Sequence, residues 1–195
     1  MKAEELIEFE KQMALDFEAG LIKAPLHLAG GNEDELIKLF KRVDLDRDWL
    51  ATTWRSHLHC LLAGVPPQEL REAIHAGRSI NLCFPSHRIV SSAIVGGIAP
   101  IALGLAWALK RNNERGRVWC FLGDMTFKSG IAHETMRYAM GHDLPIWFVI
   151  EDNGLSVVTN TREVWGEGYG ARTRVMTYHY KLTYPHVGVG KWVKF

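Results

Sequence analysis

Two short runs without a polar residue, Val118–Leu122 (VWCFL) and Ile146–Ile150 (IWFVI), constrain the fold more tightly than any other feature of this chain. A strand with one face in water alternates apolar and polar residues, whereas a strand that does not alternate is covered on both faces. Between the runs, Ile131–Met140 carries its apolar residues at helical spacing. Two buried strands flanking a helix make a βαβ unit, which predicts an α/β fold with a parallel sheet sandwiched by helices. Each run ends abruptly in polar residues, Gly123-Asp124 after the first and Glu151-Asp152-Asn153-Gly154 after the second. Ligands of open α/β sheets bind at that carboxyl edge, so function is expected there.

Elsewhere the pattern is mostly helical. Residues 2–19 read as an amphipathic helix, with Leu6, Phe9, Met13 and Phe17 on one face and Gly20 as its stop. KAPLHLAGG (23–31) is a loop by its Pro and Gly content. Asn32 with Glu35 resembles a capping box opening a second helix, whose apolar face is Leu36, Ile37, Leu39 and Phe40. These elements suggest a helical arm, residues 1–48, ahead of a main domain, residues 49–195. There, Trp49–Leu62 leans first to strand and then to helix, and Pro66-Pro67 opens a short helix. Residues 77–87 are irregular. The helix Ile101–Leu109, led in by Pro100, is apolar all round and is expected to be buried between layers. The tail, Tyr178–Phe195, is aromatic and basic and follows no pattern that assigns it an element.

Composition excludes several classes. Hydrophobic residues make up 47% of the 195, with seven Trp and eight Phe, which argues for a packed core against disorder. Lys and Arg total 23 against 22 Asp and Glu, so there is no electrostatic footprint for duplex nucleic acid. Cys60, Cys83 and Cys120 are scattered through apolar stretches, as expected of buried, reduced thiols and not of a disulfide framework or zinc site. The opening MKAEELIEFEKQM is too acidic for a signal or transit peptide. No uncharged apolar run reaches the roughly 18 residues of a membrane span. The expectation is a cytoplasmic protein without membrane or nucleic-acid partners.

Asp124 and Asn153 each stand just past one of the two apolar runs. In adjacent parallel strands their side chains would converge. A carboxylate, an amide oxygen and a nearby backbone carbonyl form a hard oxygen donor set, suited to Mg²⁺ with a phosphate completing its shell. Gly123 would let backbone approach that ligand closely. The same two residues could equally serve as caps of a helix and a turn.

GDMTFKSGIAHETMRYAMGHDLPIWFVIEDNGLSV (123–157) resembles the thiamine-diphosphate motif of the 2-oxo acid dehydrogenase E1 α subunits, which belong to the transketolase superfamily. Upstream, AIVGGIAPIALGLAWALK resembles the family's Gly-Ile-Val-Gly segment and buried helix, TWRSHLHCLLAG its Tyr-Arg-x-His-Gly stretch, and PLHLAGGNED its His-Leu-x-x-Gly-x-Glu. The motifs run in family order from about residue 20 to 165. The resemblance implies a thiamine-diphosphate-binding fold of the PP type, the half that holds Mg²⁺ and diphosphate. It implies Asp124, Asn153 and the carbonyl of Leu155 as metal ligands, and Arg55 as the diphosphate partner. It also implies Val95 as a backbone contact of the aminopyrimidine, Gly123 and Met125 along the diphosphate edge, and His57 as an active-site acid or base.

The departures bear on function. Met125 stands where the family has Gly, Asp152 where it has Asn, and Trp54 where it has Tyr. In GRSINL (77–82), Asn81 replaces a family His, and His87 is the nearest substitute in sequence. Only about 40 residues follow Asn153. A β-type subunit of the Pyr kind is implied as partner, completing the site in an α2β2 assembly that decarboxylates a 2-oxo acid and transfers the acyl unit. Two alternatives remain open at this stage: a split, transketolase-like carboligase subunit acting on a ketose, and a degenerate regulatory subunit.

Overall fold

The computed structural model describes residues 1–166 and 174–193. Its centre is a six-stranded sheet, built from β1 (Trp49–Thr52), β2 (Cys83–Phe84), β3 (Ile89–Ser91), β4 (Val118–Gly123), β5 (Ile146–Asp152) and β8 (Val175–His179), in the order β2-β3-β1-β4-β5-β8. β2 runs antiparallel to β3, and the other pairings are parallel. β4 and β5 are adjacent in the register Val118↔Ile146 to Gly123↔Glu151, so their polar ends lie side by side. The chain moves outward from β1 to β3, then returns across β1 to β4. That reversal leaves a crevice at the carboxyl ends of β1 and β4.

The uninterrupted apolar character of β4 follows from its two faces. Trp119 and Phe121 point into one core with Leu50, Val149 and Tyr178, while Val118, Cys120 and Leu122 point into the other with Ala51, Phe148 and Ile150. The first core is covered by α1 (Ala3–Glu18), α2 (Glu33–Phe40), α3 (His57–Leu62) and α4 (Pro67–Ala73), the last continuing into a π-helical turn at Ile74–Arg78. The second is covered by α5 (Ile98–Arg111) and α7 (Gly130–Gly141). The helical arm, residues 1–48, therefore forms part of one covering layer, with Leu6, Met13, Phe17 and Leu36 buried against the sheet side.

Several local expectations change. α5 begins at Ile98, so Pro100 falls in its first turn, where the missing N–H leaves no bond unmade. It is not enclosed on all sides: Ala99, Ala102 and Ala106 are buried, while Ile101 is 44% exposed. Asn32 does precede α2, but no capping box forms there. Its side chain turns instead to Tyr178, and Glu35 pairs with Lys38. Cys60 and Cys120 are buried, but Cys83 is exposed on the outermost strand. Short elements that sequence periodicity cannot register complete the fold: α6 (Asp124–Lys128), the hairpin of β6 (Leu155–Ser156) and β7 (Thr159–Asn160), and α8 (Thr161–Trp165). Among the described residues no helix is long and apolar enough to cross a membrane.

Candidate active site

A cavity of about 280 Å³ opens at the carboxyl ends of β1, β4 and β5. Arg55, Val95, Gly123, Asp124, Met125, Asn153 and Leu155, all expected at the site, line it. β1 delivers Thr53, Trp54 and Arg55; β4 delivers Gly123 and, through the start of α6, Asp124 and Met125; β5 delivers Glu151 and the turn after it. That turn is fixed locally. Asn153 Oδ1 accepts from the Leu155 N–H (2.9 Å), and Gly154 takes the positive φ of 74° that the reversal needs.

Asp152, in place of the family's Asn, does not line the cavity. It accepts from the Gly154 N–H (2.8 Å) and lies 3.5 Å from Arg162 and 2.9 Å from His179, so its charge braces the turn from behind. Met125 adds an apolar surface to the cavity wall.

The electrostatics are unbalanced in an informative way. Asp124 is only 2% exposed, and its Oδ2 has no hydrogen-bond partner. Burial raises its pKa above the ordinary carboxylate value and the nearby Asp152 charge adds to this, against the opposing pull of the Thr161 side chain and the local backbone N–H groups. On the same cavity, Trp54 Nε1 and Arg55 Nε are buried donors without acceptors. Two unsatisfied donors and one unsatisfied carboxylate oxygen suit a bound anion together with a cation.

His57 is not placed on the cavity. It is fully buried, with Nδ1 3.1 Å from both carboxylate oxygens of Glu10 and Nε2 2.9 Å from Ser79 Oγ. Both ring nitrogens are committed, because α3 turns this side chain toward α1 and away from the strand ends. Asn81 and His87 also lie outside the cavity lining.

The cavity instead carries residues that the motifs did not assign: His27, Glu151, Tyr180 and His186. Glu151 is bonded by the Tyr178 hydroxyl and lies 3.2 Å from His59 Nε2. His27 lay within the resembling PLHLAGGNED segment, the one signal that could have pointed to it. His186 comes from the tail, where no signal existed.

Fold and cavity together define an α/β protein with a cavity of mixed charge at the carboxyl edge of a largely parallel sheet. The chain belongs to the dehydrogenase E1 component family, whose sequence pattern matches residues 1–175. It is 29% identical over 163 residues to the α subunit of acetoin:2,6-dichlorophenolindophenol oxidoreductase from Cupriavidus necator, covering 78% of this chain and 49% of that one. It is 30% identical over 177 residues to the pyruvate dehydrogenase E1 component α subunit of Zymomonas mobilis, covering 80% and 50%, and 30% identical over 185 residues to that of Rickettsia bellii, covering 86% and 56%. The chain thus spans about half the length of the curated relatives it matches. A solved structure from Mycobacterium smegmatis, described as a thiamin diphosphate-dependent enzyme, aligns with a TM-score of 0.46 at 19% identity, over 68% of this chain and 22% of its own.

Proposed function

We propose that this chain is the α-type subunit of a two-subunit enzyme that binds thiamine diphosphate and Mg²⁺ in the cavity and decarboxylates a 2-oxo acid, passing on the acyl unit. The observation that carries this reading is the trio of unpartnered buried atoms, Asp124 Oδ2, Arg55 Nε and Trp54 Nε1. A buried carboxylate oxygen without a donor is stabilised by a cation, and buried N–H groups without acceptors by an anion. A divalent cation bridged to a diphosphate supplies both.

Asp124, Asn153 and the Leu155 carbonyl would hold the cation. The amide oxygen of Asn153, already accepting one N–H, keeps a second lone pair for it. Arg55 would pair with diphosphate, for which a guanidinium fork is well shaped. Gly123 and Met125 would flank the diphosphate, and Val95 would meet the ring through its backbone. When bound, thiamine diphosphate supplies its own carbanion chemistry, and the chain supplies binding, orientation and exclusion of water. His57, off the cavity lining and bonded to Glu10 and Ser79, has no proton-transfer role in this reading.

The rim supports a β-type partner in an α2β2 assembly. Ile94, Val95, Val157, Val158, Val164 and Trp165 are each more than half exposed, an apolar density that suits a covering subunit. A second reading, transfer of a ketol or acyl unit to an aldehyde, is favoured by the hydroxyketone in the name of the C. necator relative.

Calorimetric titration of thiamine diphosphate with Mg²⁺, into this chain alone and with a β-type partner, tests the proposal. Binding is expected to strengthen with the partner and to disappear in Asp124→Ala. Absence of heat from both mixtures, with folded proteins, would overturn it. Once binding is established, panels of 2-oxo acids and ketoses separate the two readings.

A further inference from the structure

The segment after β8 returns over the cavity, held by backbone bonds along its length. Tyr180 N–H donates to Asp152 (2.9 Å), Thr183 N–H to Gly30 (3.3 Å) and Gly188 N–H to Leu26 (2.7 Å). Three glycines clear its path. A Cβ at Gly30 would sit 2.2 Å from Thr183 Oγ1, at Gly31 2.0 Å from the Lys181 carbonyl, and at Gly188 3.0 Å from the Phe17 ring. All three also hold positive φ.

At the end of this path the His186 carbonyl accepts two bonds, from His27 Nδ1 (2.7 Å) and from Arg55 Nη2 (2.9 Å). Both of its lone pairs are then used. Arg55 Nη2 is also 3.1 Å from His186 Nδ1. A guanidinium keeps its proton, so Nδ1 of His186 must accept and the ring carries its hydrogen on Nε2. His27, donating from Nδ1, leaves its Nε2 as an acceptor. The two rings lie edge-on, 4.9 Å apart, on the wall of the cavity.

We propose that His186 is a positioning residue: its carbonyl and Nδ1 fix the guanidinium of Arg55 and lock His27 and His186 in opposite tautomers, one presenting an acceptor and the other a donor. Arg55 is thereby held before ligand arrives, with Nη2 committed to the tail and its remaining donors free for an anion. Preorganisation of this kind removes an ordering cost from binding. The inference rests on the proposed cofactor reading only for what Arg55 goes on to hold.

Two readouts on the full chain test it. Nitrogen-15 NMR of the histidine rings, without cofactor at neutral pH, is expected to place the His27 proton on Nδ1 and the His186 proton on Nε2. Calorimetry with inorganic pyrophosphate and Mg²⁺ is expected to show binding about tenfold weaker in His186→Leu, the loss of a hydrogen bond to a charged group. His186→Asn, whose side-chain oxygen can replace Nδ1, should stay within about threefold of wild type. A purely packing role would rank these two variants the other way. Gly188→Val, which lines no part of the cavity but forces the tail off Phe17, should reproduce the leucine defect and free the His27 tautomer. Histidines that exchange freely between tautomers in the wild type, or undiminished pyrophosphate binding in His186→Leu, would overturn the inference. Locked tautomers in a wild type that binds no pyrophosphate, alone or with a β-type partner, would uphold the positioning network and sink the cofactor reading instead.

Discussion

His27 joins protonation to folding. Burial, its largest influence, and the nearby Arg55 charge bring its pKa down to about 4, although the bond to the His186 carbonyl acts in the opposite sense. In an unfolded chain the same ring titrates near 6.5. The fold therefore favours the neutral ring and binds fewer protons between these values. Its stabilising contribution is full above pH 6.5 and is lost as the pH falls toward 4. Urea unfolding across that window should show stability declining, and less steeply in His27→Gln; identical slopes would refute the assignment. His186, also lowered by burial and by Arg55, accounts for part of the remaining slope. At this scale the sequence was readable for position: Asp124, Asn153 and Arg55, singled out by motif, all line the same cavity. It was not readable for His57, whose partner Glu10 lies 47 positions away, nor for His186, which is 131 positions from Arg55. Spacing along a chain does not report which way a short helix turns its side chains.

Among elements, α1 is held to the body by charge as well as by apolar packing. Glu10 receives the Ala29 N–H (3.2 Å) and faces His57 on α3. Asp16, further along the same helix, meets Arg71 and His75 on α4 and the π-helical turn, at 2.9 and 2.7 Å. Glu10→Ala leaves a buried histidine facing a void and strands an amide, and should cost about 3–5 kcal/mol in chemical denaturation. A loss below about 1 kcal/mol, the range of exposed pairs, would show that the helix is held by its apolar face alone. β4, β5 and α7 were legible because each is long enough to express its period. α6 and the β6–β7 hairpin were not, because five or two residues carry no period. The exposure of one face of α5 was hidden for a different reason: an apolar residue reads the same whether sheet or a partner covers it.

On the scale of the molecule, the apolar rim makes a prediction of its own. Val158 is 82% exposed. Val158→Asp should leave thermal unfolding of the isolated chain within about 0.5 kcal/mol of wild type. The same change should weaken association with a β-type partner, read by size-exclusion chromatography, by at least about tenfold, since a buried unpaired charge is costly. Unchanged association would move the interface elsewhere. The tail closure also reaches beyond ligand binding, into the order in which the chain folds. The cavity wall joins positions 27, 55, 124, 153 and 186, and the bond from His27 to His186 closes 159 residues of chain. Closures of that length are slow and are made late, after local elements have formed. A collapsed intermediate can therefore own its sheet and both helical layers yet have no cavity. In a refolding experiment, recovery of pyrophosphate binding should lag recovery of helical circular dichroism, marking the moment at which the two ends of the chain meet.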